Sequence, residues 1–237
     1  MRTIYSIFIW VWIFILLLIF FPIVNILLFL PRNQHDPMIK WMTRTMLTLI
    51  GVKVKVEFAE KLDKNGTYLF LSNHVNILDT FLLYGYIPAI VRGVELVSHF
   101  RWPIYGWTLR RMGNIPIDRV NASKAIISIN KAAAELRKGN SILMLPEGHR
   151  TRTSDEKLGK LMRGSFILAR DGGRDIVPII LSGGWEVTHR GSWKVLPGKI
   201  IMKFGKVIRE NEFRGLGTNE LRDLCRLRLE EIIRDES

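Results

Sequence analysis

A chain of 237 residues with 48% apolar side chains holds one substantial domain and a small appendage, and is too short for two full domains. Its 35 lysines and arginines against 22 acids give a net charge of +13, which points to an anionic partner: nucleic acid, an acidic lipid surface or a phosphorylated substrate. The single cysteine, Cys225, excludes an internal disulfide and a cysteine-rich metal site, and no internal repeat or low-complexity tract is visible.

Residues 4–21 are almost without polar interruption; Pro22 follows, and residues 23–30 contain only Asn25 as a break. As helix the run reaches about 40 Å against a hydrocarbon core of about 30 Å. It is long enough to cross a bilayer with tilt, or to break at Pro22 and lie partly within one leaflet. A cleaved signal peptide would end in small residues, and Phe29-Leu30-Pro31-Arg32 offers no such site. Arg32, Lys40, Arg44, Lys53 and Lys55 follow the run, against Arg2 and the terminal amine before it, which places the bulk of the chain on the cytoplasmic face of a membrane. Asp36-Pro37 predicts the start of a second helix reaching about Ile50. Its broad apolar face, interspersed with Lys40 and Arg44, fits an interfacial helix as well as one packed on a soluble domain. Residues 1–55 are accordingly read as N-terminal membrane-anchoring helices and 56–237 as an α/β domain.

From Val52 onward short apolar runs alternate with helical stretches, the pattern of an α/β fold. Strands are predicted over 52–58, 67–71, 89–97, within 113–119, and over 141–145, 175–181 and 200–204. Helices are predicted over 77–84, 103–112 and 121–138, through Arg170, and at the C-terminus, where Leu221, Leu224, Cys225, Leu229, Ile232 and Ile233 stripe one side. In open α/β sheets the loops at one end of the strands build the site, so polar residues concentrated there are informative.

Three strand ends present such residues. Asn73-His74 is followed by Asp79, five residues after the histidine, and a neutral histidine held by a carboxylate is the usual device for taking a proton from a hydroxyl. The pattern alone equally suits a histidine that caps a turn and an aspartate that caps a helix. Arg119 ends the short fourth strand, and Pro146-Glu147-Gly148-His149-Arg150 follows the fifth. There Gly148 permits close backbone approach and Arg150 can grip a phosphate through two donors. A basic loop with Lys157, Lys160 and Arg163 comes next.

Together these residues resemble the glycerolipid acyltransferase family typified by 1-acylglycerol-3-phosphate acyltransferases, over roughly residues 67 to 208. Asn73-His74-x4-Asp79 is similar to the family's first block, with its catalytic histidine and orienting aspartate. Pro103-Ile-Tyr-Gly106 with Gly113-Asn-Ile-Pro-Ile-Asp118-Arg119 resembles the second, whose arginine is associated with the acceptor's phosphate. Pro146 to Arg150 resembles the third, usually Glu-Gly-Thr-Arg, and Ile176-Val177-Pro178-Ile179 the fourth. Two departures bear on the acceptor head group: His149 replaces the usual threonine, and the lysine often found upstream of Pro103 is missing, with Val97, Ser98 and His99 nearby.

The resemblance implies a mixed, largely parallel sheet flanked by helices, of the glycerol-3-phosphate acyltransferase type, behind the membrane segment. It implies transfer of an acyl group from a coenzyme A or acyl carrier protein thioester to a lysophospholipid hydroxyl, with no tightly bound cofactor and no metal. His74 and Asp79 are then the catalytic pair, and Asn73, Arg119, Glu147, Gly148, Arg150, Lys160 and Arg163 the substrate-binding set. Another lysophospholipid acceptor, or a membrane-tethered protein that holds acidic lipid without catalysis, are the rival readings. Nucleic acid is not an expected partner, since no helix-turn-helix, zinc-finger or aromatic RNA-binding signature accompanies the charge.

Overall fold

In a computed structural model that describes residues 2–63, 65–154 and 157–235, the alternating pattern resolves into one seven-stranded sheet with helices on both faces. The strands are β1 (Val52–Phe58), β2 (Leu69–Ser72), β3 (Val91–Leu96), β4 (Ile115–Ile117), β5 (Ser141–Met144), β6 (Ile176–Ser182) and β7 (Gly198–Phe204), in the order β1-β7-β6-β2-β5-β3-β4. Only β6 and β7 pair antiparallel; every other neighbouring pair is parallel. Pro178 is accommodated in β6 because antiparallel pairing with β7 begins one residue later, at Ile179 opposite Phe204, so its missing N–H removes no bond from that ladder.

Helices α1 (Arg2–Leu27) and α2 (Arg32–Leu49) precede the strands, α3 (Asp79–Tyr86), α4 (Tyr105–Arg111), α5 (Ala122–Arg137), α6 (Arg163–Gly172) and α7 (Gly184–Val187) lie between them, and α8 (Glu210–Phe213) and α9 (Thr218–Arg234) follow. Successive residues of a strand point to opposite faces. Phe70, Leu143, Val177 and Ile179 thus join Leu47 of α2 and Leu82 and Leu83 of α3 in one core. Leu69, Ile142, Met144 and Ile176 join Leu136 of α5, Phe166 of α6 and Leu221 and Leu229 of α9 in the other. Each such fully buried side chain contributes about 1.5–3 kcal/mol. Because β2 to β6 run parallel, the loops that follow β2, β4, β5 and β6 meet at one end of the sheet.

In the N-terminal region one of the two courses expected of the first helix is realised, and the start of the second helix moves. Pro22 lies inside α1 without ending it. The second helix starts at Arg32, behind Pro31, and carries Pro37 inside; Asp36 pairs with Lys40 at 2.7 Å one turn on instead of capping the helix. The expected division at 55/56 falls within β1, which is paired to β7 along its whole length. The helix α1 is long and apolar enough to cross a membrane over Thr3–Leu27, yet it is fastened to the α/β fold along that length. Ile9 and Ile13 enter the core, Ser6 Oγ donates to the Val195 carbonyl at 3.2 Å and the Trp10 indole to the Trp193 carbonyl. Further along, Asn25 Nδ2 donates to Thr108 Oγ1 at 2.7 Å.

Candidate active site

Strand β2 ends at Ser72 and its chain turns through Asn73-His74-Val75-Asn76 into α3, whose first residue is Asp79. Asp79 is fully buried, and one oxygen, Oδ2, accepts three hydrogen bonds: from His74 Nδ1 at 2.8 Å, Val75 N at 2.6 Å and Asn76 N at 2.9 Å. Two backbone N–H groups and the first turn of α3 thus face this side chain. A carboxylate at Nδ1 makes that nitrogen the N–H donor and leaves Nε2 with its lone pair free. The His74 side chain keeps 18% of its surface exposed against 1% for Asp79, so the imidazole faces the outside and its partner does not.

The His74 backbone is held as firmly as its ring. Its N–H donates to Glu147 Oε1 at 2.9 Å, and its carbonyl accepts from Thr151 N at 2.7 Å and Thr151 Oγ1 at 3.0 Å. The other oxygen of Glu147 accepts from Gly159 N at 2.9 Å, so one buried carboxylate ties the β2 loop to the segment that follows β5. Asn73 is locked in the same manner. Leu181 N donates to Asn73 Oδ1 at 2.8 Å, while Asn73 Nδ2 donates to the Leu181 carbonyl at 3.0 Å and the Lys157 carbonyl at 3.3 Å. Asn76 closes the bracket by donating to the Gly184 carbonyl at 2.8 Å.

The geometry shows where two of the expected substrate-binding residues lie. Asn73 and Glu147, expected to contact substrate, are each 1% exposed and direct their polar atoms at backbone groups. Buried polar atoms need such partners, and with them engaged these side chains position the loop. Gly148 is likewise a turn residue: its φ is +72° and a Cβ would sit 3.3 Å from Met162. Its carbonyl accepts from the Arg119 guanidinium, which joins the end of β4 to the same loop. Desolvation lowers Arg119 from its ordinary value and nearby Glu95 opposes the shift, and the side chain stays cationic.

Arg150, half-buried, and the exposed Lys160 and Arg163 form no ion pair among the described residues. They belong to the same loop cluster, because Met162 N donates to the Pro146 carbonyl at 2.7 Å and Gly159 N to Glu147. His149 is half-buried, with Nδ1 enclosed and lacking a hydrogen-bond partner among the described residues. A cleft of 240 Å³ opens on the β6 side of the site, lined by Asn73, Val75, Thr151, Leu181, Gly183 and Trp185 among others. Sequence reasoning missed Thr151 and Asn76. Both are small polar residues beside recognised blocks, and only the fold reveals that each grips a backbone atom.

Comparisons with known proteins agree with this architecture. A family model described as Acyltransferase matches residues 53–182. The chloroplastic 1-acyl-sn-glycerol-3-phosphate acyltransferase LPAT1 of Arabidopsis thaliana is 30% identical over 61% of this chain and 40% of its own length. A 1-acyl-sn-glycerol-3-phosphate acyltransferase of Saccharomyces cerevisiae is 31% identical over 68% of this chain and 54% of its own, and one of Pseudomonas aeruginosa 29% identical over 70% and 62%. The chain thus spans about half the length of these curated relatives. The crystal structure of the 1-acyl-sn-glycerophosphate acyltransferase PlsC from Thermotoga maritima superposes with a TM-score of 0.81 over 98% of both chains at 19% identity, which establishes the shared fold.

Proposed function

The chain belongs to the Acyltransferase family, and from that premise we propose that it transfers a fatty acyl group from an acyl thioester to the free hydroxyl of a lysophospholipid. The acceptor best supported is 1-acyl-sn-glycerol 3-phosphate, which the transfer turns into phosphatidic acid. The observation that carries the reading is the 2.8 Å contact between His74 Nδ1 and the buried Asp79 carboxylate.

In this mechanism His74 Nε2 removes the hydroxyl proton as the lipid oxygen attacks the thioester carbonyl. The resulting tetrahedral oxyanion collapses, the C–S bond breaks, and the imidazolium returns its proton to the departing thiolate. Asp79 holds the tautomer and stabilises the imidazolium, the division of labour of a serine protease triad with the substrate supplying the nucleophile. No covalent acyl-enzyme is required. Arg119, Arg150, Lys160 and Arg163 hold the anionic head group, and the thioester reaches His74 from the 240 Å³ cleft beside β6. Coenzyme A and an acyl carrier protein both fit as donors, their phosphates matched by the net charge of +13.

The substrate and product are membrane lipids, and α1 is the element that brings the enzyme to them. Because it is anchored to the fold at Ser6, Trp10 and Asn25, it lies along the membrane interface instead of crossing it. The test is release of free thiol from acyl-CoA by the purified protein, with a panel of lysophospholipids. Release dependent on lysophosphatidate and reduced about 10²–10⁴-fold in His74→Ala is expected. Activity within a few-fold of wild type in that variant would overturn the assignment of the base, and faster turnover of another lysophospholipid would replace the acceptor.

A further inference from the structure

Three tryptophans outside α1 and α2 are half exposed: Trp102 at 56%, Trp107 at 57% and Trp193 at 49%. All three flank α1. The Trp193 carbonyl receives the Trp10 indole near the helix start. Trp102 lies 6.0 Å from the Tyr105 ring, which sits 5.3 Å from Phe21, and α4, which carries Trp107, is bonded to Asn25 through Thr108. The two flanking points are about 16 Å apart along the helix at 1.5 Å per residue.

Each indole also has cations beside it in the chain. Arg101 precedes Trp102, Arg110 and Arg111 follow Trp107 by one turn, and Lys194 follows Trp193; all four are exposed. An amphipathic ring next to a cation is the composition that settles at the head-group level of an anionic bilayer. Between Trp102 and Trp107 the backbone is strained. Ile104 has φ +60° and ψ −60°, closing a γ-turn in which Tyr105 N donates to the Pro103 carbonyl at 2.6 Å. A β-branched residue rarely adopts that conformation. A Cβ on Gly106 would lie 2.3 Å from the Phe100 carbonyl, so the turn is also pressed tightly onto the preceding segment. Strain of this kind persists only where the surroundings impose it, and here it sets Trp102 and Trp107 on one short segment.

We propose that Trp102, Trp107 and Trp193 form a second line of membrane contact, along one flank of α1, that seats the catalytic domain in the head-group layer of an anionic bilayer. The proposal rests on the reading that the acceptor is a membrane lipid. The occupant is a bilayer because the indoles continue the exposed apolar surface of α1, which includes Ile7, Phe8, Val11, Phe14, Ile15 and Leu18. A single helix lying in the interface is an axis about which the attached domain can roll. A second line of contact beside that axis stops the roll and fixes the height of His74 above the lipid hydroxyl.

The chain's one cysteine permits a direct test. Cys225 is 1% exposed and burial pushes its thiol up to about 12, so an introduced cysteine is labelled selectively. Full-length Trp107→Cys, Trp193→Cys, Ile15→Cys on α1 and Asp223→Cys on α9 are each labelled with an environment-sensitive fluorophore. They are then mixed with vesicles of equal parts phosphatidylcholine and phosphatidylglycerol whose acyl chains carry bromine. Labels at 107, 193 and 15 are expected to be quenched and that at 223 not. Quenching at 15 without quenching at 107 and 193 overturns the second contact line, and no quenching at 15 overturns the membrane reading itself. In the triple variant Trp102→Ser/Trp107→Ser/Trp193→Ser, apparent KM for vesicle-borne acceptor should rise at least about tenfold. An equal rise with a short-chain, monomeric acceptor would assign the three side chains to the acceptor site and overturn the proposal.

Discussion

Two halves of the site are built on opposite terms. Around His74, side chains are buried and engaged: Asp79, Glu147 and Thr151 hold ring or backbone atoms of one short loop, whose own Asn73 and Asn76 grip the backbone at Leu181 and Gly184. Around the head-group side, Arg150, Lys160 and Arg163 stand without ion pairs among the described residues. Proton transfer requires a fixed base, whereas a phosphate that arrives with the substrate needs cations not already neutralised. Substitutions in the first half should therefore lower kcat, and those in the second should raise the acceptor's KM.

The largest expected effect after loss of His74 is that of Asp79→Asn. An amide oxygen can still accept the three donors that share Asp79 Oδ2, but the amide carries no charge to balance an imidazolium, and its NH2 falls where the enclosed Oδ1 has no partner among the described residues. By comparison with the same change in a serine protease triad, kcat should fall about 10⁴-fold with acceptor KM little changed. Purified protein assayed over a range of acceptor concentration separates the two parameters, and a dominant KM effect would erase the distinction between the halves.

Glu147→Gln sharpens the comparison, because this residue stands in a block expected to bind substrate. The amide cannot accept from both His74 N and Gly159 N, so one buried donor faces another. That mismatch costs about 1–3 kcal/mol of stability, seen in denaturant unfolding, and kcat should fall about 10–100-fold as His74 loosens. Acceptor KM rising alone, at unchanged stability, would return Glu147 to the binding set.

Arg150→Ala tests the open half. Loss of one charge-assisted contact, worth about 1.5–3 kcal/mol, should raise acceptor KM about tenfold or more with kcat nearly preserved. Raising ionic strength should weaken wild-type acceptor binding in the same direction, since exposed charges are screened.

The sheet, its helices and the His74–Asp79 pair were legible in the sequence because each leaves a local mark. Apolar runs such as 69–72 and 141–144 read as buried strands, and a histidine five residues ahead of an acid at a helix start can fold onto it. The direction of β7 was not legible, since the antiparallel turn back onto β6 depends on contacts between distant segments. Nor were the roles of Asn73 and Glu147: a motif reports which side chain is present, while its target, the backbone at Leu181 or at His74 and Gly159, is set by tertiary packing. The start of α2 was misplaced because Asp36-Pro37 imitates a helix opening, although Asp36 pairs forward with Lys40.

The smallest expected effect, and the finest test of the bracket, is that of Thr151→Val. Valine keeps the shape of this buried residue and the bond from its N–H to the His74 carbonyl at 2.7 Å, and removes only the hydroxyl bond at 3.0 Å. A single hydrogen bond contributes about 0.5–1.5 kcal/mol net, so stability should fall by that order. If the carbonyl's second bond serves to hold His74 in register, kcat should fall about two- to tenfold, with acceptor KM and its salt dependence as in wild type. A shift in KM or salt slope instead would mean that Thr151 belongs with the cations, and that the rigid and open halves share a residue.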